Sequence, residues 1–191
     1  MDADREQCVA PSVRVRPVRP DGEDLAFIRR LRNEQIRSGT ALWVDDPEDC
    51  ETTRAWVERH RAAGAVLIAQ QIGPDGSEGE RLGVAAIGPF RDEPGYRRTA
   101  EDSVYVAEHA HHRGVGLLLM ESLVRSARER GLHALIAAIE SGNQASIGLH
   151  SRAGFRTVGT LRQVGAKFGR WLDLTLMELV LDDPAVPPSQ A

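Results

Sequence analysis

Residues 111–116, with the sequence HHRGVG, combine residue types and a spacing that suit the binding of a phosphate group. They follow the apolar run SVYVA and open the periodic segment LLLMESLVRSARERG. A glycine loop that enters a helix presents unpaired backbone N–H groups and the positive end of the helix dipole, which together bind phosphate. Gly114 and Gly116 would let such a ligand approach without side-chain obstruction. A tight strand-to-helix turn with nothing bound fits the same glycine pattern, so the surrounding sequence has to decide.

Three histidines in or beside this loop raise the question of a metal site. His109, His111 and His112 would lack a fourth ligand and a fixed geometry, so a solvated loop is the favoured interpretation and no metal is expected. The two cysteines, Cys8 and Cys50, have no CxxC spacing, which favours a reduced cytosolic protein.

Charge and hydropathy exclude several classes of partner. The chain carries 24 Lys and Arg against 28 Asp and Glu, a net charge of -4, so neither a nucleic-acid footprint nor a polybasic membrane patch is expected. The acidic start lacks an apolar leader, and the longest apolar stretches are too short to span a bilayer. We therefore expect a soluble, cytoplasmic protein whose partner is a small molecule.

Periodicity and turn residues in the first third of the chain predict a strand and two helices. The run VRVRPV after Ser12 alternates as an edge strand does, and Pro17 suits an edge because it donates no ladder hydrogen bond. Asp21 is expected to cap a first helix. A second helix is predicted to follow Asp46, with Pro47 at its first position.

The rest of the chain predicts six strands, the glycine-loop helix and one short helix, which complete the order β α α β β β α β α β β. The strands are AVLIAQQI paired antiparallel with RLGVAAIGPF, then EDSVYVA, HALIAAIE, RTVGTLRQVGAKF and WLDLTLMELVL, with NQASIGLHSRAGF as the short helix. This order indicates an α/β protein with a mixed sheet and helices on both faces. Residues 12–182 are predicted to form a single domain, with 1–11 and 183–191 as flexible tails.

Four segments, in order along the last half of the chain, resemble the GNAT superfamily of N-acetyltransferases. VYVAEHAHHRGVG is similar to the acetyl-CoA motif Q/R-x-x-G-x-G/A, and GPF with YRRTAEDSVYV, NQASIGLHSRAGF and TLRQVGAKFGRWLDL are closer to the phosphinothricin and methionine sulfoximine acetyltransferase branch. The resemblance implies a mostly antiparallel GNAT-type sheet and acetyl-CoA as cosubstrate. One departure is His111 at the Q/R position, because a neutral imidazole is a weaker phosphate partner than Arg.

By this resemblance, acetyl-CoA is held by the glycine loop, the strand before it and the short helix after it. The implied contacts are His111, His112, Arg113, Gly114, Val115 and Gly116 for the pyrophosphate, with Val104, Tyr105, Val106, Asn143 and Ser146 along the pantetheine arm. Tyr105 and the hydroxyl of Ser146 are both candidate donors to the leaving thiolate.

Acetyl transfer to an amine needs a base, because an ammonium carries no lone pair. The resemblance implies Glu101 as that base, acting directly or through water, and His150 as an active-site histidine. Strand alternation sends Asp102 to the opposite face. A hydrogen-bonded packing residue is the other interpretation of His150. A backbone N–H of the VYV strand, where a bulge is expected, would hold the oxyanion.

The expected acceptor is the amine of a small amino-acid-like molecule such as phosphinothricin, methionine sulfoximine or methionine sulfone, acetylated in a ternary complex. Arg91 and Tyr96 in the loop RDEPGYRR, together with Trp43, are the predicted substrate contacts, because Arg pairs bidentately with carboxylate or phosphinate. Ordinary solvated loop charge is the alternative for the arginine. The branch also implies a homodimer. Two other functions remain open: acetylation of a protein N-terminus or a polyamine, and a non-catalytic acyl-CoA-binding regulatory module.

Overall fold

The computed structural model describes residues 12–20 and 22–181, which form seven strands and four α-helices in the predicted order. The strands are β1 Ser12–Pro17, β2 Val66–Ile72, β3 Glu78–Pro89, β4 Thr99–Val106, β5 Ala134–Glu140, β6 Arg156–Lys167 and β7 Arg170–Val180. The helices are α1 Gly22–Ser38, α2 Cys50–Ala63, α3 Val115–Glu129 and α4 Gln144–Arg152. Two short 3-10 turns, Pro94–Tyr96 and Glu108–Ala110, precede and follow β4. None of the helices in the described part of the chain has both the length and the apolar character needed to cross a bilayer.

All seven strands belong to one sheet, with the order β1-β2-β3-β4-β5-β7-β6. Only the β4–β5 pair is parallel, and every other pair is antiparallel. The mixed, mostly antiparallel sheet expected from the sequence is confirmed. β1 lies at one edge, where the missing N–H of Pro17 is tolerated, and β6 lies at the other.

The two faces of the sheet carry separate hydrophobic cores. On one face, Leu119 and Leu123 of α3 are fully buried against the sheet, and α4 packs beside α3. On the other face, Ile28 of α1 and Val57 of α2 are buried. Each such side chain contributes about 1.5–3 kcal/mol of burial free energy, so the two cores fix the helices on opposite sides of the strands between them.

Helix α1 is also fixed to the sheet by a buried ionic network. Asp24 accepts two hydrogen bonds from Arg16 of β1, at 2.7 and 2.9 Å, and one from Arg81 of β3, at 2.6 Å. Burial alone would raise the pKa of Asp24, but these hydrogen bonds lower it to about 2. The carboxylate is therefore charged at any physiological pH, and it holds the start of α1 against two strands.

The start of the second helix differs from the prediction. The helix begins at Cys50, and its cap is Asp49, whose Oδ1 accepts from the backbone N–H of Thr52 at 2.8 Å. The predicted start after Asp46, with Pro47 at the first helical position, was wrong because Asp49 satisfies a first-turn N–H that Asp46 is too early to reach. The proposed cap Asp21 and the predicted tails, 1–11 and 183–191, lie outside the described residues.

Candidate active site

A gap between β4 and β5 is the central feature of the site. The two strands pair only over Thr99–Glu101 and Ala134–Ile136, although β4 runs on to Val106 and β5 to Glu140. Beyond that point β4 stays paired with β3 and β5 stays paired with β7, so the two strands part. The prediction of a bulge in β4 was wrong, because the register of β4 with β3 is continuous from Ala100 to Val106. The gap leaves one edge of β4 without a neighbouring strand.

An open cavity occupies this gap, with walls from four parts of the chain. Ala41 and Leu42 border it from the segment after α1, and β4, β5 and α4 supply the other walls. Its lining includes the predicted residues Glu101, Val104, Tyr105, Asn143, Ser146 and His150. The structure therefore brings both predicted catalytic residues and most of the predicted pantetheine contacts to one cavity.

Glu101 lies at the point where the β4–β5 ladder ends. Its side chain is on the α1/α2 side of β4, since Ala100, Val104 and Val106 pack into the core on the α3 side. Burial raises the pKa of Glu101, and the charge of Asp102 raises it further, whereas Arg59 lowers it. Its carboxylate accepts no hydrogen bond from the described residues. A half-buried carboxylate with a raised pKa and free lone pairs is suited to general base catalysis.

His150 is committed to a buried ion pair on the opposite side of β4. Its Nε2 lies 2.9 Å from Oδ2 of Asp102, and its Nδ1 donates to the backbone oxygen of Ser146 at 2.7 Å. Burial alone would lower the pKa of His150, but the hydrogen bond and charge of Asp102 raise it. With an acceptor at each ring nitrogen, the imidazole is assigned as a doubly protonated cation, which has no lone pair with which to act as a base.

Asp102 is the residue of this pair that sequence reasoning left without a role. Strand alternation correctly predicted that the Asp102 side chain lies on the face opposite Glu101. No local pattern in the sequence indicates a partner 48 residues away. Its side chain is 1% exposed, and its second oxygen, Oδ1, has no hydrogen-bond partner among the described residues.

The glycine loop leaves open space and uncapped backbone amides at the start of α3. Gly114 caps α3 with a φ of 78° and no side-chain hydrogen bond, and a Cβ placed there would meet no atom within 4 Å. His112 is also left-handed, and both it and Arg113 are exposed beside the helix start. A left-handed glycine and uncapped first-turn N–H groups form a concave, positively polarised cradle.

The two ends of the loop are fixed to the last residue of β4. The ring Nε2 of His111 donates to the backbone oxygen of Val106 at 3.0 Å. Gly116 lies in the first turn of α3, where a Cβ would be 3.3 Å from Leu149 and 3.6 Å from Val106. Val115 is buried beneath the loop. The departure at His111 thus gives a tether between the loop and the strand rather than a free cation.

The remaining predicted contacts of the acetyl donor border the cavity from two sides. Asn143 caps α4 by accepting from the N–H of Ser146 at 3.0 Å, and the Ser146 hydroxyl lies 3.4 Å from Nδ1 of His150. Tyr105 lies on the other face, where its hydroxyl accepts from Arg32 at 3.5 Å and burial raises its pKa. Both candidate thiolate donors therefore line the cavity, from opposite sides of β4.

The three predicted substrate contacts do not converge on the cavity. The Arg91 guanidinium lies over the rings of Phe90 and Tyr96, at 5.4 and 5.6 Å, and so stays within its own loop. The ring of Trp43 lies on the backbone of Gly165 in β6, where a Cβ would be only 2.1 Å from the indole. The neighbours of Trp43, Ala41 and Leu42, line the cavity in its place.

Known proteins provide a comparison for this geometry. The profile described as Acetyltransferase (GNAT) family matches residues 28–155. An L-methionine sulfoximine/L-methionine sulfone acetyltransferase of Pseudomonas paraeruginosa is 44% identical over 166 residues, which are 86% of this chain and 94% of that protein.

Two solved structures are also similar. A GNAT superfamily phosphinothricin acetyltransferase from Sinorhizobium meliloti, in complex with acetyl-CoA, has a TM-score of 0.82 and 27% identity, covering 93% of this chain and 94% of its own. A ribosomal-protein-alanine N-acetyltransferase from Brucella melitensis has a TM-score of 0.79 and 42% identity, covering 87% and 98% of the two chains.

Proposed function

We propose, from the premise that this chain belongs to the acetyltransferase (GNAT) family, that it transfers acetyl from acetyl-CoA to the amine of a small amino-acid-like substrate. Methionine sulfoximine, methionine sulfone and phosphinothricin are the expected type of acceptor. One observation carries the proposal: the gap beside β4 has Glu101 at one end and the glycine loop at the other. Five residues of extended chain separate these ends, a distance of roughly 17 Å.

The residues around the gap fit each part of acetyl-CoA. The first-turn amides of α3 and the exposed Arg113 are suited to the diphosphate. The free edge of β4, from Ser103 to Val106, offers backbone groups to an arm that contains amides, and Asn143 borders that arm from α4. When bound, the cosubstrate supplies an activated acetyl group as a thioester.

Glu101 is the general base in this mechanism. The proton of the acceptor ammonium moves to its carboxylate, directly or through water, and leaves a lone pair on the amine. Free N–H groups along the β4 edge are placed to stabilise negative charge on the reacting carbonyl oxygen. His150 already carries its proton, so its part is to orient Ser146 and α4 at the cavity wall. Tyr105 and Ser146 remain the two candidates for protonating the thiolate.

The acceptor enters on the side of the cavity bordered by Ala41 and Leu42, which line it together with Glu101. Trp43, Arg91 and Tyr96 stay predictions as acceptor contacts. Arg91 would have to leave its stacking on Tyr96 to reach a carboxylate in the cavity. The shape of the acceptor pocket is therefore set chiefly by the segment that follows α1.

We also propose that the protein is cytoplasmic, that residues 12–182 act as one domain, and that two copies associate. All described elements pack on a single sheet, which supports the single domain. The hairpin of β6 and β7 exposes large apolar side chains, among them Phe168 in its turn, at 56%, and Trp171 of β7, at 67%. Exposed apolar groups of this size on one hairpin favour a self-complementary contact.

Thiol release from acetyl-CoA, measured over a panel of acceptors, tests the proposal. The panel comprises methionine sulfoximine, methionine sulfone, phosphinothricin, common amino acids, polyamines and an alanine-terminated peptide. We expect the highest kcat/KM with the small sulfur or phosphorus amino acids.

Two outcomes would contradict the proposed acceptor or activity. The name of the Brucella melitensis protein indicates a protein N-terminal alanine as its acceptor. If the peptide gives the highest kcat/KM here, the proposed acceptor class is wrong, whereas the proposed acetyl transfer still holds. Binding of acetyl-CoA without turnover of any panel member would favour a regulatory module.

A further inference from the structure

Lys167 is a buried amino group at the turn that joins β6 to β7. Its residue is 4% exposed, and its Nζ donates to three backbone oxygens: Gln35 at 3.2 Å, Gly39 at 2.9 Å and Leu42 at 2.5 Å. An ammonium has three N–H donors, and all three are used here. The contact joins parts of the chain that are 125 to 132 residues apart.

The three acceptors lie where the end of α1 passes into the next segment. Gln35 lies in the last turn of α1, where backbone oxygens carry the negative end of the helix dipole, and its oxygen also accepts from the N–H of Gly39 at 3.0 Å. Gly39 and Leu42 lie beyond the helix. Lys167 supplies a positive charge there and a donor to each of the three oxygens. Burial lowers the pKa of Lys167, with Asp45 opposing that effect, yet only the ammonium form can donate to all three oxygens.

The residue type itself supports a specific role. Lys167 is the only lysine among the 24 Lys and Arg residues of the chain. Three converging carbonyl oxygens match a compact ammonium, whereas the planar fork of Arg presents its donors in one plane. The single use of lysine therefore falls at a position whose geometry arginine does not satisfy.

Three further contacts hold the same stretch, residues 39–43, which we term the acceptor wall. The Trp43 ring lies on Gly165 of β6, and its Nε1 donates to the backbone oxygen of Thr40 at 2.8 Å. The Thr40 hydroxyl donates to Glu140 of β5 at 3.0 Å. Since Ala41 and Leu42 line the cavity, these contacts fix a surface that faces the proposed acceptor.

We propose that Lys167 is a positioning residue that holds the acceptor wall and thereby sets the affinity for the acceptor amine. The idea rests on the proposed function, because Ala41 and Leu42 line the same cavity as Glu101. The three hydrogen bonds of Lys167 go to Gln35, Gly39 and Leu42, none of which belongs to the glycine loop or to β4. We therefore expect the acetyl-CoA part of the site to depend little on this lysine.

Steady-state kinetics of Lys167→Met test the proposal, because methionine has similar length and no donor. We expect the KM for the acceptor to rise about tenfold or more, with the KM for acetyl-CoA changed less than about twofold. Arg170→Met, an exposed cation on the same hairpin, is the matched control and should change neither constant. A folded Lys167→Met protein with an unchanged acceptor KM, or with equal rises in both constants, would overturn the proposal.

A second variant and a second readout cover the other outcomes. If Lys167→Met does not fold, Thr40→Val loosens the acceptor wall without touching the lysine, and an unchanged acceptor KM in that protein also overturns the idea.

Amide hydrogen exchange of residues 39–43 in Lys167→Met is a second readout, and it needs no substrate. Faster exchange there, with no turnover by the wild type, would contradict the proposed function and leave the positioning role standing. Unchanged exchange would contradict the positioning role itself.

Discussion

Two consecutive carboxylates of β4 have opposite environments. Glu101 faces the α1/α2 side, accepts no hydrogen bond from the described residues and has a raised pKa. Asp102 faces the α3/α4 side, where it is buried against the imidazolium of His150. One carboxylate is free to accept a proton, and the other is committed to holding a cation. Strand alternation alone thus separates the proposed catalytic role of Glu101 from the structural role of Asp102.

The two carboxylates also affect each other. The charge of Asp102 is one of the two causes that raise the pKa of Glu101, the larger being burial. Removal of the Asp102 charge should therefore lower the pKa of Glu101. The following predictions test how far the two roles are separate.

Removal of the Asp102 charge should give the largest effect, and the effect should be on stability. Asp102→Asn leaves a buried imidazole without its counterion, so the free energy of unfolding should fall by about 3–5 kcal/mol at neutral pH. Urea denaturation followed by circular dichroism measures the change. The double variant with His150→Gln should recover part of the loss, and a loss below about 1 kcal/mol would mean that the pair is not a stabilising unit.

Removal of the Glu101 charge should give the next largest effect, on rate rather than stability. Glu101→Gln should lower kcat/KM by about 100-fold near neutral pH, with less loss at high pH where the acceptor amine is already unprotonated. Calorimetry should show unchanged acetyl-CoA binding. A loss of equal size at every pH would contradict the role of Glu101 as general base.

The smallest effect is a pH dependence of stability that originates at His150. Its folded pKa is raised, so its stabilising contribution is complete below its unfolded value, about 6.5, and is lost as pH rises through the folded value. The stability difference between wild type and His150→Gln should therefore narrow from mildly acidic to alkaline pH. A difference that widens over this range would show that the imidazole is buried in its neutral form.

Local sequence patterns predicted much of this molecule. The element order follows from periodicity and turn residues, and the family follows from the four matching segments, one of which contains the glycine loop; both are confirmed. Glu101 reached the cavity as expected because strand position fixes the face on which a side chain lies. The cap of α2 was missed because Asp46 and Asp49 are equally good caps in isolation, and only packing distinguishes them.

The rest depends on contacts between distant parts of the chain. The pairing of Asp102 with His150 and the three hydrogen bonds of Lys167 leave no trace in spacing or periodicity. Arg91 looked like an anion ligand by type, but its neighbours Phe90 and Tyr96 hold its guanidinium by their ring faces. Residue type predicted the chemistry available at these positions, and tertiary structure decided where it is used.

The enclosure of Lys167 has a consequence for chemical reactivity. Thioesters acylate unprotected amines, so an exposed lysine would compete with the acceptor for the donor that the enzyme itself concentrates. Here the one side-chain amine of the chain is protonated and wrapped by carbonyl oxygens, so it is not a nucleophile. The folded protein should resist self-acetylation at lysine even under prolonged exposure to its own cosubstrate.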